Sequence, residues 1–152
     1  MTTPSQPAGY SKRPLAEKLG IKAGMHVAIL NAPKEYISAT LIGLPDGLTM
    51  ADKLSKNAAS RFDFIQFFTT LREELEAQFP ALKAALAQNG ALWISWPKGG
   101  PKAQITTNLD ENIVREAGLA AGLVDVKVAA VDPVWSGLKF VYRVKDRTKD
   151  QG

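Results

Sequence analysis

Val27-Ala28-Ile29-Leu30 runs directly into Asn31-Ala32-Pro33-Lys34-Glu35-Tyr36, and the reading of this junction decides the fold. Met25 to Leu30 lacks the polar alternation of a half-exposed strand. It reads as a strand covered on both faces, as in a parallel sheet. The residues after it predict a helix from Pro33 to about Leu41, the first crossover. In α/β domains that hold a dinucleotide, this junction carries a glycine-rich turn that lets the backbone approach the phosphates. Here it carries no glycine and one proline, so the pattern of the fold is present without its usual chemistry.

The rest of the chain follows from that first unit. Upstream, Ser11 to Leu19 predicts a short helix with Pro14 in its first turn and Gly20 past its end. Downstream, Leu44-Pro45-Asp46-Gly47 is a turn, Leu48 to Leu54 a weak strand, and Phe62 to Phe68 a clear aromatic-rich one. Thr70-Leu71-Arg72-Glu73 matches a capping box, and Leu71, Leu75, Phe79, Leu82 and Leu86 line one helical face. Pro80 is expected to split that helix, and Asn89-Gly90 to end it. Ala91 to Trp96 reads as a buried strand. Asn108-Leu109-Asp110-Glu111 is a second capping box with Asn108 as the cap, and Ile113, Val114, Ala117 and Ala121 form the next buried face. Leu123 to Val131 alternates, with Val124, Val126 and Val128 on one face and Asp125 and Lys127 on the other. Leu138 to Val144 alternates too, and the short link before it makes the last two strands antiparallel neighbours. Strands alternating with helices specify an α/β domain of three layers with a mostly parallel sheet and one antiparallel C-terminal strand. The domain is expected over 11–145, with flexible tails at 1–10 and 146–152.

Composition narrows the function. The 152 residues suit one domain, and 45% hydrophobic with 22% charged residues is ordinary for a soluble protein. No apolar run approaches the ~18 residues that a membrane span needs. The N-terminus lacks the charged and apolar regions of a secretory signal. Without cysteine there is no disulfide, thiolate metal site or cysteine nucleophile, which fits a cytoplasmic protein. The net charge of +4 sits partly at the chain ends, so nucleic acid is not an expected partner.

The second half resembles the carboxyl half of class I methyltransferases. Phe62-Asp63-Phe64-Ile65, the strand Ala91-Leu92-Trp93-Ile94-Ser95, the helix ending Glu116-Ala117-Gly118-Leu119-Ala120-Ala121-Gly122-Leu123 and the closing antiparallel hairpin carry the likeness. The whole chain is similar to a bacterial family of short, methyltransferase-like proteins to which no activity is attached. That likeness rests on Gly9-Tyr10-Ser11, Leu15-Ala16-Glu17-Lys18-Leu19-Gly20-Ile21-Lys22, Leu30-Asn31-Ala32-Pro33, Ser95-Trp96-Pro97-Lys98, Gly122-Leu123-Val124-Asp125-Val126-Lys127 and Trp135-Ser136-Gly137-Leu138-Lys139-Phe140-Val141. It implies a shortened Rossmann-like fold and a bacterial, cytoplasmic origin. Methyltransferases place a glycine-rich turn after the first strand and an acidic residue after the second, for S-adenosylmethionine. Here Ala32 and Pro33 occupy the turn, and neither Asp46 nor Asp52 is assigned as the acid.

Catalytic groups are scarce. His26 is the only histidine and stands at the strand end opposite the ligand crevice of such sheets. There is no metal cluster, nucleophile elbow or phosphate loop in the sequence. Topology instead gathers Asn31, Pro33, Tyr36, Trp96, Lys98 and Trp135, with Thr69, Thr70 and Asp132, at the carboxyl edge of the sheet. The aromatics supply apolar faces with polar handles and Lys98 a cation, so these six residues are the candidate ligand site. The expected function is a non-catalytic, methyltransferase-like module with a degenerate cofactor site, taking a small molecule or a protein partner and no cofactor. The alternative is an enzyme that binds S-adenosylmethionine or a nucleotide at an altered loop. Oligomeric state is left open, with Leu138 to Val144 available to a second subunit only if it lies at an edge.

Overall fold

The computed structural model describes residues 13–55, 59, 61–101 and 103–147. The tail expected at 1–10 lies outside the described residues, as does most of the one expected at 146–152. Six strands form one sheet: β1 (His26–Leu30), β2 (Thr49–Ala51), β3 (Phe62–Phe68), β4 (Leu86–Pro97), β5 (Leu123–Ala130) and β6 (Trp135–Tyr142). Their spatial order is β2-β1-β3-β4-β6-β5. The first four pair in parallel, and β6 is antiparallel to both of its neighbours. The α/β sheet with one antiparallel strand is therefore as the alternation of elements requires.

Successive residues of β1 serve opposite faces, the mark of a strand covered on both sides. Ala28 and Leu30 enter a core with Leu75, Phe79 and Leu82 of α2 (Arg72–Ala85) and Val114 of α3 (Glu111–Ala120). Val27 and Ile29 enter a second core with Leu15, Ala16 and Leu19 of α1 (Leu15–Leu19), Tyr36, Trp93 and Trp135. Trp93 lies fully buried and donates its indole N–H to the Leu19 carbonyl at 2.9 Å, which ties α1 to the sheet. Gly20 closes α1 in the left-handed region, as its place in the sequence implies.

Several local expectations are corrected. Pro33 to Leu41 is no crossover helix. It is a five-residue π-helical turn, Tyr36–Thr40, in which the Leu41 N–H reaches back to the Tyr36 carbonyl at 2.8 Å. Only Tyr36 and Leu41 of this stretch are buried, too little apolar surface to hold a longer helix on the sheet. Pro80 does not split α2, because Leu75, Phe79 and Leu82 bury one continuous face on both sides of it. That helix ends at Ala85, not at Asn89-Gly90. These two residues belong to β4, within a register slip between the Phe62–Leu86 and Phe64–Ala91 pairs.

Both capping boxes are displaced. Leu71 is the N-cap of α2 and makes no side-chain cap. The Arg72 N–H instead donates to Asn108 Oδ1 at 2.7 Å. The α3 cap is Asp110, whose Oδ1 takes the Ile113 N–H at 2.8 Å. Asn108 thus caps the neighbouring helix, not its own. On β5, Val126 and Val128 are exposed where the alternation expected a buried valine face. The strand lies at the sheet edge and shifts register between Asp125 and Lys127. β6 is hydrogen-bonded on both sides, so it offers no free edge to a second subunit.

Candidate functional site

The carboxyl ends of the parallel strands form one edge, and the chain leaves each of them with a polar residue. Asn31 follows β1, Asp52 follows β2, Thr69 follows β3, and Lys98 follows β4. Asn31 has φ 58° and Glu35 φ 66°, so two non-glycine residues bracket this loop in the left-handed region. Asn tolerates that conformation, and a long side chain such as Glu does so at a cost. The backbone turn that a glycine normally supplies is therefore made without one.

Two grooves meet at this loop. One, of about 370 Å³, lies between Leu30, Asn31, Asp52, Phe67, Glu74 and Gln78. The other, of about 550 Å³, is bounded by Ile29, Asn31, Pro33, Tyr36 and Asp52. Asn31 and Asp52 are common to both, so the grooves are two lobes of one cleft. Asn31 Nδ2 donates weakly to Glu74 Oε2 at 3.4 Å, and Thr69 Oγ1 donates to Glu74 Oε1 at 2.6 Å. The walls therefore carry three carboxylates, at Glu35, Asp52 and Glu74, and one cation, Lys53, around the amide of Asn31.

The six candidate residues do not all share this cleft. Asn31, Pro33 and Tyr36 line it. Trp96 is buried in the core beneath α2 and α3. Trp135 lies on the other face of the sheet, where its ring meets Phe68 edge-on at 5.1 Å and Phe68 meets Tyr36 at 4.7 Å. The tryptophans are thus separated by the sheet itself. Lys98 is half-buried, and its backbone N–H donates to the Val134 carbonyl at 2.8 Å. Asp132 Oδ1 accepts the N–H groups of Val134 and Trp135, both at 2.8 Å, and shapes the link into β6. His26 is exposed at the opposite end of the sheet, where its backbone N–H donates to Asp63.

Three positions at or behind the cleft are not among the six candidates. Asp52 is passed over, yet it stands directly beyond β2, whereas Asp46 precedes that strand. Gln66 and Ser95 are fully buried in the middle of β3 and β4. Gln66 Oε1 accepts the Tyr36 hydroxyl at 2.8 Å and its Nε2 donates to Ser95 Oγ at 3.0 Å. A lone Gln in Phe62-Asp63-Phe64-Ile65-Gln66-Phe67-Phe68 is the signal that finds this chain. Burial pushes the Tyr36 hydroxyl well above the usual tyrosine range, with the hydrogen bond to Gln66 opposing and the nearby Asp132 carboxylate adding to the rise. Among the described residues no group of His, Cys, Asp and Glu could hold a metal ion, and no helix is long and apolar enough to cross a membrane.

The fold has many counterparts among solved structures. A SAM-dependent methyltransferase from Aquifex aeolicus superposes with a TM-score of 0.62 at 15% identity, over 83% of this chain and 86% of that one. The fold is that of the class I methyltransferases. A TehB-like SAM-dependent methyltransferase from Corynebacterium glutamicum gives a TM-score of 0.57 at 11% identity, covering 90% of this chain and 91% of its own. The magnesium protoporphyrin IX methyltransferase of Synechocystis, solved with bound S-adenosylhomocysteine, gives 0.55 at 12% identity over 80% and 75%. No family model and no functionally curated protein matches the chain. The expectation that no cofactor is involved is corrected by these neighbours. Two of the proteins that share the fold are SAM-dependent methyltransferases, and two others are complexes with S-adenosylhomocysteine.

Proposed function

We propose that this protein binds S-adenosylmethionine in the Asn31–Asp52 cleft and is a methyltransferase-like enzyme with a glycine-free cofactor loop. The observation that carries this reading is the place of Asp52. It follows β2 and faces the loop after β1, 21 positions beyond Asn31 (52 − 31). An acidic residue about 20 residues on from that loop is where nucleotide-binding α/β folds hold ribose hydroxyls. The donor set fits. The Asp52 carboxylate can accept hydrogen bonds from two hydroxyls, the Asn31 amide both donates and accepts, and Glu35, Asp52 and Glu74 outweigh the one cation, Lys53, which suits a cationic ligand. The left-handed φ of Asn31 supports the same reading, because it makes the turn that glycine makes elsewhere. When bound, the group supplies an activated methyl. The chain's own part is to bind and orient, with Asp52 and Asn31 at the edge and Leu30 and Phe67 as apolar walls. A cytoplasmic location and a small-molecule or protein acceptor belong to the same proposal.

Thermal shift and calorimetry with S-adenosylmethionine and S-adenosylhomocysteine test it. A ligand at 100 times its Kd stabilises by about 2.7 kcal/mol, which for a domain of this size is a rise of about 5–10 °C. Asp52→Ala removes two hydroxyl partners and is expected to weaken binding by at least about tenfold. Unchanged melting at millimolar concentrations of both ligands refutes the reading.

A further inference from the structure

The Tyr36–Gln66–Ser95 chain has a chemistry the core does not need. Polar side chains buried in an apolar core are costly unless fully paired, and replacing all partners with apolar groups is often neutral for stability. Here the pairing is specific: hydroxyl to amide oxygen at 2.8 Å, amide nitrogen to hydroxyl at 3.0 Å, with Gln66 and Ser95 fully buried and Tyr36 nearly so. The chain runs from β4 through β3 to the residue that ends the cleft loop. Tyr36 is fixed there from every side. Its ring lies edge-on to Phe68 at 4.7 Å, its N–H donates to the Pro33 carbonyl at 3.0 Å, and its carbonyl accepts from Leu41 at 2.8 Å. The other end of the loop is fixed by β1 at Leu30. Five residues, 31 to 35, thus span two anchored points, and the first and last of them hold positive φ. Strained backbone of this kind persists where its surroundings over-determine it.

We propose that Gln66 is a positioning residue for the cofactor loop: through the Tyr36 hydroxyl it clamps Asn31–Glu35 in the left-handed form that walls the cleft. A preformed loop spares the ligand the cost of ordering it. The ligand side of this inference rests on the cofactor reading above, whereas the clamp itself does not.

The test uses Tyr36→Phe, which keeps the ring on Phe68 and removes only the hydroxyl, and Gln66→Leu. The first readout needs no ligand. Hydrogen exchange at the Tyr36, Ala39 and Leu41 amides is expected to quicken about tenfold in both variants, while β3 and β4 amides keep their protection. The second is S-adenosylhomocysteine affinity by calorimetry, expected to fall about tenfold in each variant, with no further fall in the double variant because both cut one connection. A role in stability alone lowers Tm and leaves both readouts at wild-type values, and that result overturns the proposal. If wild-type protein binds no S-adenosylhomocysteine, the cofactor reading falls, and the exchange data still decide the clamp. Loop amides that exchange at the wild-type rate in Tyr36→Phe overturn it.

Discussion

Gly118→Ala sets two known effects against each other. Ala in a helix interior is worth up to about 1 kcal/mol over Gly, so α3 taken alone gains from the change. Packing opposes it. A Cβ at Gly118 would stand 2.0 Å from Phe140 Cε1, 2.4 Å from Cζ and 2.6 Å from Cδ1. Carbon atoms settle at about 3.5–4.0 Å, so the ring or the helix must retreat by about 1.5 Å. Phe140 has nowhere to go. It is fully buried, meets Phe79 edge-on at 5.7 Å, and stands on a strand bonded on both sides. Overpacking of a core costs about 1–3 kcal/mol, and a clash this short belongs at the top of that range. The net loss is about 2 kcal/mol, or about 4–8 °C in Tm. Thermal and urea unfolding measure it, with Gly99→Ala as the control, since a Cβ there meets nothing within 4 Å. A Gly118→Ala protein as stable as wild type, or more so, shows that propensity outweighs packing here and refutes the argument.

Two further outcomes are expected. Asn108→Ala removes the acceptor of the Arg72 N–H and uncaps α2 from outside that helix, at a cost of about 1 kcal/mol or 2–4 °C in Tm; an unchanged Tm contradicts the borrowed cap. Asp125→Asn removes the charge from a 2.9 Å contact with Arg115 Nε that holds the Asp125 carboxyl below its ordinary value of 3.8. A carboxyl lowered in the folded state stabilises above its unfolded value, and that stability is lost as pH falls through the folded one. The wild-type advantage in urea midpoint is therefore expected at pH 7, small because both side chains are partly solvated, and gone near pH 2. A gap that persists at pH 2 assigns the effect to packing.

Much of the fold is legible because it depends on pattern. The apolar run Val27 to Leu30 of β1 cannot face water on either side, which forces helices onto both faces, and the short link at Asp132 leaves the last two strands no pairing but antiparallel. The errors arise where one residue serves a neighbour distant in sequence. Asn108 looks like the cap of the helix that follows it, yet it caps α2, a choice made by the packing of α2 against α3. Val126 and Val128 alternate like core residues and are exposed, because β5 is the last strand of the sheet. The site was less legible for the same reason. Asn31, Pro33 and Tyr36 flank one another in the chain and could be read together. Trp96 and Trp135 share a strand pairing but point to opposite faces, which no spacing reveals.

By itself, the sequence settled the class of this protein: an α/β sheet with an antiparallel final strand, a cleft at its carboxyl edge, and a loop after β1 without glycine. These rest on periodicity and on what each residue type can bury. Tertiary structure decided what the loop is. Asn31 adopts the left-handed turn, Asp52 comes to face it from β2, and Gln66, out of reach in sequence, meets Tyr36 through the core. Each depends on contacts between strands distant in the chain, whose strength is set by burial and distance, quantities that exist only once the sheet has closed.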